Sequence, residues 1–196
     1  MIDLTPATAA LTDVVLGVRD DQLPAPTPCQ RTTVGDLLDH VQGLALAFTA
    51  AATKATPDGG SRPPSADASR LGDDWRPRIE SRLVELAKAW QDADAWTGTT
   101  RAGGLELPGA LAGNVALNEV VVHGWDLAVA TGQPFSAGPD LVDAARSFAQ
   151  AAVAQNPNGT EGLFGPPVTV PDDAPPLDRL IGLTGRDPSW TPVGRP

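Results

Sequence analysis

Apolar residues recur along most of this chain at the three-and-four spacing of helices, and hardly anywhere at the alternation of strands. Leu11, Val14, Val15 and Val18 form the first stripe, and Thr5 followed by Pro6 marks its start as a hydroxyl cap with proline in the first turn. The prolines of LPAPTPCQR then exclude regular helix. A second helix opens at Thr32 or Thr33 in TVGDLLDHVQGLALAFTAAAT, with Val34, Leu37, Leu38, Val41, Leu44, Ala45 and Phe48 along one side. The Pro/Gly/Ser-rich TPDGGSRPPSADAS reads as an exposed, mobile connection. Trp75, Ile79, Leu83, Leu86 and Trp90 share one face of a third helix, and TGTTRAGGLELPG after it is irregular, with room for a short strand pair. A fourth helix runs from about 110 to about 130 and stops at Thr131-Gly132-Gln133-Pro134, glycine and then proline just past a C-terminus. A fifth, near 139–153, carries Leu141, Ala145, Phe148 and Ala152 on one side. Beyond Asn156 the chain is rich in Pro and Gly, with a short apolar run LDRLIGL before GRDPSW.

These elements predict an all-α fold: an antiparallel four-helix bundle with an additional helix over residues 1–155, and a C-terminal tail over 156–196 that packs on the bundle. The 196 residues suit one domain of ordinary size, and 41% apolar against 19% charged residues argues for a packed core rather than disorder. A net charge of -10 and the lack of a basic patch argue against nucleic acid and against an anionic membrane surface. No apolar run is long enough to span a bilayer, and MIDLTPATAALTD lacks the basic and apolar regions of a signal peptide. One cysteine, Cys29, excludes an internal disulfide framework and suits a reducing cytoplasm. A cytoplasmic monomer or homodimer is the expectation, and the sequon at Asn158 carries no weight there.

The fourth helix departs from this plain picture. In NEVVVHGWDLAVATGQP, Glu119, His123 and Asp126 interrupt residues that are otherwise apolar or small. At 100° per residue His123 lies about 40° to one side of Glu119 and Asp126 about 20° to the other, so all three share one arc. The far side, with Leu117, Val121 and Ala128, is apolar too, so neighbouring helices should cover the whole surface. Charges projecting there need partners. The other of the chain's two histidines, His40, flanks the apolar stripe of the second helix. Two helices of one bundle can set His40 opposite Glu119 and His123, and two imidazoles with one carboxylate make a three-ligand metal set with open positions. Asp126 would then hold a ligand histidine from outside, or serve as a fourth ligand. The bland alternatives stay open on spacing alone. Glu119 and His123 also suit a simple hydrogen-bonded pair, His40 suits a solvated edge, and the strong zinc motif HExxH is absent. Cys29 has no histidine beside it in sequence, and reads as a small residue packed at the mouth of the second helix.

At these residues the chain resembles the DinB-like superfamily, specifically the N-terminal metal-binding domain of mycothiol-dependent maleylpyruvate isomerases. TPCQRTTVGDLLDHV, NEVVVHGWDLAVATGQP and the closing LDRLIGLTGRDPSW carry the resemblance, in the expected order over most of the chain. It implies a four-helix bundle holding a divalent metal, usually zinc, through two histidines and a glutamate, which map onto His40, Glu119 and His123. It also implies mycothiol or a similar small-molecule thiol as cosubstrate, acting on an electrophilic substrate, as a transferase or isomerase. Asp126 would orient an imidazole and Trp125 would pack beside the site as a cofactor-binding residue. Two features depart from the family pattern. Thr32 stands where a tryptophan is usual, and a short Pro/Gly-rich tail stands where the isomerase has a second, substrate-binding domain. The chain therefore looks like a stand-alone metal-binding member. The same ligands also permit a metal-dependent hydrolase, or a non-catalytic bundle that binds metal structurally or docks a partner.

Overall fold

A computed structural model describes residues 1–55, 66–160 and 162–192. The helices are α1 (Thr5–Gly17), α2 (Val34–Ala52), α3 (Trp75–Ala89), α4 (Gly109–Thr131), α5 (Pro139–Gln155) and α6 (Pro176–Leu183), with one hairpin, β1 (Thr99–Ala102) and β2 (Leu105–Pro108), between α3 and α4. The expected all-α, DinB-like bundle is the fold. α1 packs on α3 and α4, and α2 packs on the same two, so α1 faces α2 across one diagonal and α3 faces α4 across the other. α5 lies outside the bundle against α4, and α6 lies against α5. Most of the connection read as mobile, residues 56–65, lies outside the described residues.

Local chemistry sets the helix ends. Thr33 caps α2: its side chain accepts from the Asp36 N–H while the Asp36 carboxylate accepts from the Thr33 N–H. The start of α1 differs from expectation in detail. The helix begins at Thr5, and Asp3, two residues earlier, accepts from the Thr5 N–H and hydroxyl at 2.9 and 2.6 Å. The N-cap is Leu4 rather than Thr5, and the Asp3 carboxylate supplies the acceptor for the Thr5 N–H. α4 ends at Gly132, whose φ of 72° reverses the chain. The hairpin turns through Gly103 and Gly104, both at positive φ, as a two-residue turn requires, and Thr100 fastens it to α2 by donating to the Ala51 carbonyl at 2.6 Å.

The core runs through all four bundle helices, with Leu4, Leu11, Leu37, Leu38, Ile79, Leu83, Leu86, Trp90, Leu117 and Leu127 essentially removed from water. Each such side chain contributes on the order of 1.5–3 kcal/mol against the entropy of ordering the chain. α4 is the central element, buried on nearly every face from Ala116 to Ala130. Its C-terminal end is tied to α1, because the Gln133 amide donates both to the Val14 carbonyl and to the Thr131 hydroxyl.

The tail is more structured than a bare strap. Pro175 and Pro176 open α6, a position where a missing N–H costs nothing, and Leu180 and Ile181 are fully buried. Trp190 packs, half-buried, against the same core.

Candidate metal centre

α4 and α2 position the three expected ligands. Glu119 and His123 are one turn apart on α4, and the Glu119 Oε2 lies 2.9 Å from the His123 Nε2. His40 comes across from α2, its Nε2 4.0 Å from the same oxygen. The two imidazoles stand edge-on, centroids 5.1 Å apart and planes at 88°. One donor atom from each of His40, Glu119 and His123 lies within 4.8 Å of the other two. A tetrahedral zinc with bonds near 2.0–2.1 Å would space its donors about 3.3 Å apart. The two separations from Glu119, 2.9 and 4.0 Å, bracket that value, and two imidazoles with one carboxylate are a donor set that suits a divalent cation.

The electrostatics support the same grouping. His123 is 5% exposed and Asp126 is wholly buried. Burial disfavours a charged His123, but hydrogen bonds to Asp126 and Glu119 and the charges of both carboxylates outweigh it, pushing its pKa up to about 10. Burial likewise raises Glu119, and the hydrogen bond and charge of His123, with His40 behind it, overcome this and hold the carboxyl below its ordinary value. In the metal-free protein these surroundings favour the protonated form of His123, set between two carboxylates. A divalent ion bound at Nε2 would have to displace that proton.

Asp126 lies against His123. Its Oδ2 lies 3.0 Å from the His123 Nδ1, on the side of the ring away from Glu119. What the sequence did not suggest is the partner of Asp126 itself. Arg186, beyond the end of α6, forks onto the carboxylate, Nε at 2.9 Å from Oδ1 and Nη2 at 2.9 Å from Oδ2. Burial raises Asp126, yet the Arg186 charge and the His123 hydrogen bond hold it low. The available signal was a requirement without an address: a buried aspartate demands a cation, and the closing GRDP offers one.

Cys29 is nearer to this chemistry than its sequence neighbours indicate. It is half-buried, and its Sγ lies within 4.8 Å of a donor atom on both His123 and Asp126. These three could also be counted as a ligand set. The guanidinium on Asp126 argues against a cation there, whereas among the described residues the ion pairs of the Glu119 carboxylate are with the two histidines. The first set is therefore the better candidate for a metal. Thr32, where the family pattern has tryptophan, donates its hydroxyl to the Gln30 carbonyl at 3.2 Å and toward the Cys29 Sγ at 3.7 Å. Trp125 sits in the interior of the bundle. It is 5% exposed within the hydrophobic core, and it lines neither of the hollows beside the site.

One hollow reaches a proposed ligand, and a second lies beside Cys29 and Arg186. An apolar crevice between Leu11, Val41, Phe48 and Leu83 reaches Glu119 from inside the bundle. On the Asp126 side, a cleft of about 330 Å³ opens between the Cys29 loop, residues 162–166 and Arg186. The cleft is of the size that small-molecule sites have.

Comparison with known proteins adds an independent line. The model of the mycothiol maleylpyruvate isomerase N-terminal domain matches residues 4–128. Uncharacterized proteins from two Mycobacterium tuberculosis strains are each 29% identical over 185 residues, covering 92% of this chain and 93% of theirs. Among solved structures, the crystal structure of a mycothiol-dependent maleylpyruvate isomerase superposes with a TM-score of 0.59 at 19% identity, covering 78% of this chain and 70% of that one. A histidine-to-alanine mutant of such an isomerase gives 0.58 at 20%, covering 77% and 68%. At those identities the structures speak for the fold.

Proposed function

The chain belongs to the mycothiol maleylpyruvate isomerase N-terminal domain family, and from that premise we propose that it binds a divalent metal, zinc in the first instance, and works on a small-molecule thiol. The thiol is mycothiol or a close analogue, and the reaction is transfer to, or isomerisation of, an electrophilic substrate. The observation that carries the reading is the convergence of His40, Glu119 and His123 on one point of a buried helix surface.

A divalent ion at that point would supply charge that lowers the pKa of a bound thiol, giving a nucleophile at neutral pH. The chain's own residues do the rest. His40 and His123 present Nε2 donors, and Glu119 contributes the one anionic oxygen between them. Asp126 fixes the His123 ring by taking the Nδ1 hydrogen bond, which keeps Nε2 aimed at Glu119. Apolar walls from α1, α2 and α3 screen Glu119 from bulk water.

Metal analysis of the purified protein beside His40→Ala and His123→Ala tests the centre. Stoichiometric metal in the parent, lost from both folded variants, is the expected result, and metal retained in both overturns it. Conjugation of mycothiol to a panel of electrophiles by the metal-loaded protein tests the chemistry. Turnover that depends on the thiol is expected. Hydrolysis without any thiol would replace the transferase reading with a hydrolase.

A further inference from the structure

Behind the proposed ligands, a series of contacts runs outward to the tail. Asp126 is wholly buried with both oxygens engaged. Arg186 Nε lies 2.9 Å from Oδ1 and 3.0 Å from Oδ2, and Nη2 lies 2.9 Å from Oδ2, the oxygen that also meets the His123 Nδ1. Nη1 donates to the Thr184 carbonyl at 3.1 Å, so the guanidinium plane is held at both ends. A fork of this kind fixes the plane of the carboxylate as well as its charge.

The backbone under Arg186 is fixed too. Its N–H donates to the Ile181 carbonyl at 3.2 Å and the Gly185 N–H donates to the Gly182 carbonyl at 3.1 Å, the paired bonds of a helix that ends on a left-handed residue. Gly185 has φ +81°, and a Cβ there would lie 2.8 Å from the Gly165 backbone. The end of α6 is thus built to deliver this one side chain to this one carboxylate.

We propose that Arg186 is a positioning residue for the metal centre: through Asp126 it holds the His123 ring with Nδ1 donating and Nε2 turned toward Glu119 and His40. This rests on the metal reading above. It also makes the tail part of the site, because Arg186 lies beyond the residues 4–128 that the family match covers.

The test measures zinc affinity by chelator competition at one fixed pH, for the parent protein, Arg186→Met, Arg186→Lys and His40→Ala. It adds 1H–15N spectra of the histidine rings, which are few enough to assign because the chain has only two histidines. The expected result for Arg186→Met is a loss of affinity of about 10–100-fold. The slowly exchanging Nδ1–H resonance of His123 should disappear with it, and Arg186→Lys, with one donor direction in place of a fork, should fall between. A folded Arg186→Met with lowered Tm but unchanged zinc affinity and an unchanged Nδ1–H resonance would reduce Arg186 to a tail anchor and overturn the proposal. Should the methionine variant not fold, the same two readouts on Arg186→Lys decide, with parent-like values overturning it. Failure of the metal reading looks different: the parent binds no zinc, or His40→Ala binds as the parent does. The ring spectrum of metal-free protein then judges the Arg186–His123 coupling by itself.

Discussion

Two arginine–aspartate pairs in this molecule join a later segment to a helix that bears a histidine. Arg70 meets Asp39 on α2, next to His40, and Arg186 meets Asp126 on α4, three residues from His123. Both aspartates are buried, but Arg70 is 48% exposed and Arg186 10%. Asp39 also accepts from the Asp67 N–H at 3.2 Å, so this contact pins the turn before α3 to the side of α2. Water can reach Arg70 and substitute for much of what the pair provides. Nothing comparable can reach Asp126, whose second duty is to the imidazole. The same two residue types therefore act as a latch at the edge and as part of a rigid support in the interior.

The largest expected effect tests that contrast directly. Asp126→Ala leaves the Arg186 charge buried without its partner and should cost about 3–5 kcal/mol in urea unfolding. A loss no greater than that of Asp39→Ala would erase the distinction between the two pairs. Next comes pH. With the folded pKa of His123 raised from 6.5 to about 10, the stabilisation from its two carboxylate contacts is complete below pH 6.5 and is lost as pH climbs through 10. The denaturation midpoint of metal-free protein should fall over that window, and His123→Gln should flatten the fall. Zinc affinity should move the other way, rising over the same range because binding displaces a proton. Calorimetry in buffers of different ionisation enthalpy reads that release. A smaller effect is expected at the start of α2, where Thr33→Ala removes half of the capping box and should cost about 1 kcal/mol by thermal unfolding, without altering zinc affinity. Smallest of all, Arg70→Ala should leave zinc affinity at the parental value. A drop there would show that the edge pair supports His40 as the interior pair supports His123.

The legible parts of this protein were those governed by local rules. Periodicity located five helices because each carries a stripe of apolar residues longer than two turns, and glycine and proline marked the end of α4. The ionisable arc of α4 was readable for a different reason: three charges on an apolar surface violate the pattern and demand an explanation. α6 was less visible, at eight residues with prolines before it, since packing of Leu180 and Ile181 rather than propensity holds it in place. Arg186 was invisible as a partner because the bond to Asp126 spans 60 residues and depends on how a short helix ends. The surroundings of Cys29 were hidden for the same reason, since its neighbours in space include His123 and Asp126 of α4 and Arg186 of the tail.

That span of 60 residues also has a kinetic meaning. Bundle helices can associate through contacts of moderate separation, while the fork from Arg186 closes only after the tail has docked. Opening of the tail alone exposes far less apolar surface than unfolding of the bundle, so it belongs among the cheaper excursions of the native state. On the reading proposed above, the residence time of a bound ion would follow that opening, and amide exchange in α6 would keep the same clock as metal release.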